Sequence, residues 1–214
     1  MSRMNRRRTV RAVAPVAGLL AAGLLVWQGS YAAFSATTNN TADAWSTGNL
    51  ALTNNGGTTT YAGTTTALFA GTTAGQPENN IKIGATGTKC ITVESTGSLA
   101  GTLKLYAGAI TGTNSVALAP RIGLTVDAAP VTTATNVASN CTGFPVTGLT
   151  NLGTNVALSA YPATFVAATG VPVAAAQQRV AYRITWVLNT TGTNAGDNAL
   201  QGSTAQADLN WEIQ

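Results

Sequence analysis

The sequence predicts an all-β fold, because strand-like alternation recurs along the chain and helical periodicity is absent after the first 32 residues. Apolar and polar residues alternate most clearly over 178–188 and 205–213. Threonine, asparagine and glycine supply most of the polarity, and they suit exposed strand faces and turns. Strands without intervening helices favour an antiparallel β-sandwich, and we expect one of jelly-roll type.

Residues 1–32 have the composition of a secretory signal peptide, so a signal helix is expected before the sandwich. Five arginines form a cationic start, and a mostly apolar run follows over 12–27. Ser30 and Ala32 meet the small-x-small requirement of a signal peptidase, which predicts cleavage between Ala32 and Ala33. An uncleaved anchor is the alternative, but the apolar run is shorter than the ~20 residues of a spanning helix. We therefore expect a secreted protein that meets the membrane only before cleavage.

Signal removal changes the charge of the chain. The sequence has 11 basic and 7 acidic residues, and 1–32 contains five of the basic ones and none of the acidic ones. The remaining 182 residues form one domain-sized chain with a net charge of about −1. Its thirteen charged residues are far below the ~25% typical of soluble domains, and a nearly neutral surface favours association. The scattered lysines and arginines exclude a nucleic-acid partner, which needs clustered positive charge.

Cys90 and Cys141 are the two cysteines of the chain, and export places them in an oxidising compartment. We therefore expect one disulfide between them. It would close a loop of about fifty residues, for which the chain-entropy model gives ~4 kcal/mol of stabilisation. A zinc site is the alternative, but two distant cysteines without any histidine cannot supply the usual tetrahedral ligands.

An extended arm is expected over 33–48, before the sandwich domain at 49–214. Phe34 is the one large apolar side chain in its first eight residues, which are otherwise small, polar and compatible with a strand. This arm has too little apolar surface to anchor itself on its own domain.

Six segments of the domain have the alternation of strands. They are Asn49–Thr53, Cys90–Glu94, Thr102–Tyr106, Ile122–Val126, Gln178–Leu188 and 205–213. The Thr-rich stretch 56–75 is interpreted as hairpin or loop. The segment 127–153 is expected to form a long loop that Cys141 pins onto the strand at Cys90.

The last two strands indicate the core. One face of 178–188 carries large apolar residues, and the same holds for 205–213. The predicted core residues are Tyr182, Ile184, Trp186, Leu209 and Trp211. The two tryptophans could instead stack on a sugar ring, but inward strand positions favour the core.

Several segments resemble the TasA/camelysin family of secreted proteins, especially its actinobacterial branch with a SipW-type signal peptide. Trp27–Ser35 is similar to the processing site of the family, and Thr47–Leu52 to its Ala/Thr-Gly-x-Leu-x-Leu strand. Lys89–Leu99 resembles a strand ending in a Gly-Ser/Thr-Leu turn. Asp197–Gly202 and Asn210–Glu212 resemble an Asn-x-x-Gln-Gly segment and a closing Trp-Glu. These segments occur in the same order and cover most of the chain.

The resemblance implies a jelly-roll subunit of extracellular matrix or biofilm fibres. In such fibres the N-terminal arm of one subunit completes the sheet of the next, so a second copy of the chain is the expected partner. The donor-strand residues would be Ala33, Phe34, Ser35, Ala36 and Thr37. A monomeric surface adhesin or polysaccharide-binding sandwich is the alternative, and other matrix components or cell-wall polysaccharide are possible further partners.

The sequence predicts neither an enzyme nor a cofactor. Camelysin-like relatives carry a metalloprotease label, but zinc hydrolysis and Ser-His-Asp or Cys-His catalysis all use histidine, and this chain has none. Asn194, Asp197 and Asn198 offer oxygen ligands for calcium. Turn capping is the simpler explanation for such residues, so no metal site is predicted.

Overall fold

The computed structural model describes residues 49–63, 65, 67–69, 78–174 and 178–214. The signal peptide, the cleavage position between Ala32 and Ala33, and the arm with Phe34, Ser35, Ala36 and Thr37 lie outside the described residues. The described part of the sandwich domain begins at Asn49.

The strands of the described residues form two antiparallel sheets. The larger sheet has five strands in the order β1-β2-β7-β4-β5. These strands are β1 (Leu52–Asn54), β2 (Thr86–Ser95), β4 (Ile122–Val131), β5 (Thr150–Ala157) and β7 (Gln178–Leu188). The smaller sheet has three strands in the order β6-β3-β8. They are β3 (Gly101–Ala107), β6 (Gly170–Val173) and β8 (Leu209–Ile213).

Among the described residues, two short helices connect the strands, α1 (Ser115–Leu118) and α2 (Asn194–Asn198). Single 3₁₀ turns lie at Ala119–Arg121 and Leu158–Ala160. None of these elements is long enough to form a layer of its own, because the apolar residues of the chain are spaced for strands. The predicted all-β antiparallel sandwich is therefore confirmed.

The main core lies between the two sheets, and both contribute to it. Along β7 the buried residues Val180, Tyr182, Ile184 and Trp186 lie on the face toward the main core, at the period of two that a strand requires. The residues between them lie on the opposite face, where Ala181 is also buried. Leu209 and Trp211 of β8 are half-buried and pack against the same core, while Ile213 is buried. The ring of Tyr182 meets that of Trp211 edge to face at 5.8 Å between centroids.

The structure differs from the sequence-based expectation over 127–153. Strand β4 continues to Val131, and β5 begins at Thr150, so only the middle of this segment is a loop. Ala128 lies directly opposite Tyr182 in the register, and a small residue packs well against a large one. Small residues do not stand out as an apolar alternation, so the sequence did not indicate this part of β4. Strand β5 contains irregular pairing with β4 and a positive φ of 49° at Asn155, which removes the period of two.

The connection between β2 and β3 also changes sheets. The sequence indicates two strands joined by residues 95–101, and the structure places β2 in the larger sheet and β3 in the smaller one. Gly97 makes this crossing possible, because a Cβ there would collide with the carbonyl oxygen of Asn49. The first strand is also shorter than expected, since pairing with β2 begins at Leu52.

Candidate functional site

A disulfide links Cys90 of β2 to Cys141, as predicted, with 4.9 Å between the two Cα atoms. Cys141 belongs to the loop 132–149 that connects β4 to β5. The cysteines form a second small core with Val137 and Ala181, against which Phe144 packs. This core lies on the face of the larger sheet that points away from the sandwich, since Cys90 and Ala181 alternate with the inward residues of their strands.

Asn55 joins three separate segments at the edge of this small core. Its side chain is fully buried, and its amide donates to the carbonyl oxygens of Thr58 at 2.8 Å and Val137 at 3.2 Å. Its Oδ1 accepts from the backbone N–H groups of Gly57 at 3.0 Å and Thr92 at 2.8 Å. All its hydrogen-bonding positions are used, so Asn55 ties the chain after β1 to β2 and to the loop 132–149. Sequence analysis missed this role, because an Asn-Gly pair indicates only a turn.

Two arginines of β7 cross the outward face of the larger sheet. Arg179 pairs with Glu94 at 3.2 Å and lies over the ring of Tyr61, with 4.3 Å from Cζ to the centroid. Arg183 pairs with Asp127 at 2.7 Å. Arg183 also lies 4.8 Å over the ring of Phe144. These contacts hold the loops 55–62 and 132–149 against the sheet, so this charge is structural.

Hydrogen bonds lower the pKa of the Asp127 carboxyl group. Burial by itself raises the pKa of its carboxyl group, but hydrogen bonds from Arg183 and Asn151 outweigh it, and the pKa lies below the ordinary value. Asn151 donates to Oδ1 of Asp127 at 3.0 Å, while Arg183 donates to Oδ2. The charged form of Asp127 is therefore the one that the fold favours.

In the segment 190–198, which contains the residues considered as calcium ligands, the carboxylate of Asp197 makes most of the side-chain hydrogen bonds. Oδ1 of Asp197 accepts from the backbone N–H of Thr191 at 2.6 Å and from its hydroxyl at 2.7 Å. Oδ2 accepts from the hydroxyl of Thr190 at 2.8 Å. These bonds, the backbone one first, lower the pKa of Asp197. Both carboxylate oxygens thus accept hydrogen bonds that stabilise the turn before α2. Across the described ranges, no group of three or more acidic or cysteine side chains could hold a metal ion.

Trp186 points into the sandwich. Its indole N–H donates to Oε1 of Glu78 at 3.5 Å, and a Cβ on the facing Gly87 would lie 2.6 Å from the same nitrogen. The Nε1 of Trp211 and the hydroxyl of Tyr182 are buried donors with no acceptor within the described part of the chain. Both tryptophans therefore face the core, the position that the sequence favours over sugar stacking.

Three of the four edge strands carry features that prevent pairing with another chain. Strand β1 is three residues long, and Asn54 exchanges two backbone hydrogen bonds with Ala62 along its outer edge. Strand β5 is irregular at Asn155. Strand β6 has four residues, and Pro172 has no N–H to donate.

Strand β8 lacks these features. Its five residues pair with β3 in one continuous register, and they include no proline, lysine or arginine. The carbonyl oxygen of Asp208 accepts from the N–H of Gly108, and Gln214 exchanges two backbone hydrogen bonds with Thr102. In an antiparallel pair, alternate residues direct their N–H and C=O groups toward and away from the neighbouring strand. The backbone groups of Leu209, Trp211 and Ile213 therefore point away from β3. Those groups have no backbone partner among the residues described here.

No protein-family model and no curated protein matches this chain. Among the described residues, no helix is long and apolar enough to cross a membrane.

Proposed function

We propose that this chain is a secreted structural subunit of an extracellular fibre or biofilm-matrix filament, which assembles when an N-terminal arm adds to strand β8 of a neighbouring subunit. The observation that carries the proposal is the open edge of β8. A regular edge strand without proline, bulge or lysine is a template for pairing with an extended segment.

Among the described strands, the order is compatible with a jelly-roll arrangement in which the smaller sheet has three of its four strands. The order β2-β7-β4-β5 opposite β6-β3-β8 follows the pattern of an eight-stranded jelly roll, with roughly four strands in each sheet. The strand that would complete the smaller sheet belongs beside β8. Strand β1 instead pairs with β2 in the larger sheet, although it lies close to β8. An added strand beside β8 would thus extend the smaller sheet at its open side.

The arm over 33–48 is the proposed donor. Its backbone would supply the hydrogen bonds that Leu209, Trp211 and Ile213 lack within the described residues. Phe34 would supply specificity, because its burial beside the inward side chains of β8 contributes on the order of 2 kcal/mol per junction. Before signal cleavage the arm is attached to the apolar segment 12–27, so assembly would follow secretion.

Two further observations support this role. The disulfide suggests an oxidising compartment such as the cell exterior. The segments that resemble the TasA/camelysin family include the residues of β8, since Asn210–Glu212 is similar to the closing Trp-Glu of that family.

The direct test compares the chain that begins at Ala33 with one that begins at Thr41 and with the variant Phe34→Asp. Electron microscopy and sedimentation should show filaments of the first and folded monomers of the other two. Thermal unfolding of the shortened chain checks that the domain is intact. Filaments formed equally well without the arm would rule out donor-strand addition, and monomers from all three chains would favour the surface-adhesin alternative.

A peptide competition separates the arm from other causes of assembly. A synthetic peptide of residues 33–40 should slow elongation of the full mature chain and raise the unfolding temperature of the chain from Thr41. The matched control peptide carries Phe34→Asp and should do neither. Equal effects of the two peptides would remove Phe34 from the recognition.

A further inference from the structure

We propose that the outward face of the smaller sheet binds a neutral pyranose polymer at a platform formed by Tyr106, Gly108, Asn210 and Glu212. This Tyr106 platform lies on β3 and β8 and on the residue that follows β3. It is separate from the backbone edge that the proposed assembly uses.

The ring of Tyr106 leans along the sheet instead of standing away from it. The Cα partner of Tyr106 on β8 is Asn210, but its hydroxyl donates at 2.9 Å to Oε2 of Glu212, two residues further along β8. The side chain therefore crosses β8 diagonally. Tyr106 is half-buried, as expected for a ring that lies along the sheet with one side toward solvent.

Tyr106 also differs from three other aromatic residues of the described chain that lie outside the main core. Cationic groups cover the rings of Phe165, Tyr61 and Phe144. In the portion of the chain that the structure describes, neither a cation nor a second ring lies on Tyr106. Its solvent side is thus free to stack on a ligand.

Polar groups surround the ring at positions that suit hydroxyl groups. The Asn210 amide makes no hydrogen bond within the described ranges, so it offers both a donor and an acceptor. Gly108 adds no side chain beside the amide, and a Cβ there would lie 3.4 Å from both Nδ2 of Asn210 and Cβ of Asp208. Glu212 accepts from Nε2 of Gln214 at 2.5 Å in addition to Tyr106, which holds its carboxylate in place.

This combination matches a neutral sugar chain. The apolar C–H face of a pyranose can stack on the tyrosine ring, while its hydroxyl groups bond to the amide and the carboxylate. The carboxylates of Asp208 and Glu212 would repel an anionic polymer. The one ammonium group on this face, that of Lys104 among the described residues, already donates to the carbonyl oxygen of Phe165 at 3.1 Å. An open sheet face also suits a polymer better than a small ligand, which binds in a concave pocket.

The test measures retention of the mature chain on microcrystalline cellulose and chitin, and its retardation in gels containing laminarin. We expect binding to at least one of these neutral polymers and none to polygalacturonate. Tyr106→Ala should weaken binding by about tenfold or more, as expected for loss of a stacked ring, and Asn210→Ala by about threefold.

Tyr61→Ala is the matched control, because it removes a tyrosine from the loop 55–62 on the larger sheet and should leave the affinity unchanged. Thermal unfolding of each variant checks that the fold is intact. Equal binding by Tyr106→Ala and the parent protein would overturn the proposal, as would the absence of binding to all three neutral polymers or equally strong binding to polygalacturonate.

Discussion

At the scale of single residues, buried polar groups connect parts of the chain that lie far apart in sequence. Asn55 contacts Thr92 and Val137, which are 37 and 82 residues away. A buried donor or acceptor that loses its partner costs about 1–3 kcal/mol. Such residues therefore stabilise the fold more than their small apolar area indicates.

We expect Asn55→Ala to lower the free energy of unfolding by about 2–4 kcal/mol, because the backbone groups of Thr92 and Val137 would be left buried without partners. Urea denaturation of the mature chain measures this. Asn194→Ala is the control, since Asn194 is exposed and its side chain makes no hydrogen bond within the described residues, and it should change stability by less than about 0.5 kcal/mol. Similar effects of the two substitutions would contradict the role assigned to Asn55.

Asp127 should make the stability depend on pH. Its pKa is lowered from 3.8 in the folded protein, so the unfolded chain binds the proton more readily. The stabilisation by its carboxylate is therefore complete above the unfolded pKa and is lost as the pH falls through the folded pKa. Denaturation from about pH 6 to about pH 2.5 should show a smaller loss of stability for Asp127→Asn than for the parent. Asp208→Asn controls for removal of an exposed carboxylate, and the same reduced loss in that variant would contradict the assignment.

At the scale of elements, the disulfide attaches the loop 132–149 to strand β2. Cys90 and Cys141 are 51 residues apart, and both contribute to the small core on the outward face of the larger sheet. Removal of the bridge would increase the conformational entropy of the unfolded chain. In the native state it would weaken the packing of Val137 and Phe144, which belong to the loop, against Cys90 and Ala181.

Replacing both cysteines with alanine should lower the unfolding temperature by roughly 10 °C, the shift that corresponds to ~4 kcal/mol in a domain of this size. Calorimetry with and without a reductant measures it. The reductant should lower the unfolding temperature of the parent by a similar amount and leave the double variant unchanged. A parent protein that is insensitive to reduction would show that the small core holds the loop without the bridge.

Which elements can be read from the sequence depends on their place in the sheet. Strand β7 has the bounds that its alternation predicts, because it lies in the middle of the larger sheet with one face in the core. Strands β5 and β6 are not indicated by the sequence. Both lie at a sheet edge, where β5 is interrupted by the bend at Asn155 and β6 is four residues long and contains Pro172. An edge strand is stabilised mainly by its neighbour, so its own residues carry little signal.

At the scale of the whole molecule, the low charge predicts assembly that depends little on salt. The chain from Ala33 onward has a net charge of about −1, and the contact proposed at β8 consists of backbone hydrogen bonds and apolar side chains. Screening acts on exposed charges, of which few are involved.

We therefore expect the elongation rate of filaments to change by less than about twofold between ~0.05 and ~0.5 M NaCl. Light scattering seeded with preformed filaments measures the rate. The peptide of residues 33–40 serves as a control, because it should inhibit equally at both salt concentrations. A steep fall in rate at high salt would indicate that ion pairs, not the β8 edge, join the subunits.

The sequence by itself determined the all-β class, the central strand over 178–188 and the pairing of two cysteines. These follow from local alternation and from a count of reactive groups. Tertiary structure alone decided which sheet each strand joins, that Asn55 closes the small core, and that β8, among the described edge strands, has no proline, bulge or covering segment from the described residues. Those features depend on contacts between residues far apart in the chain, and local composition does not encode which strand will be left without a neighbour.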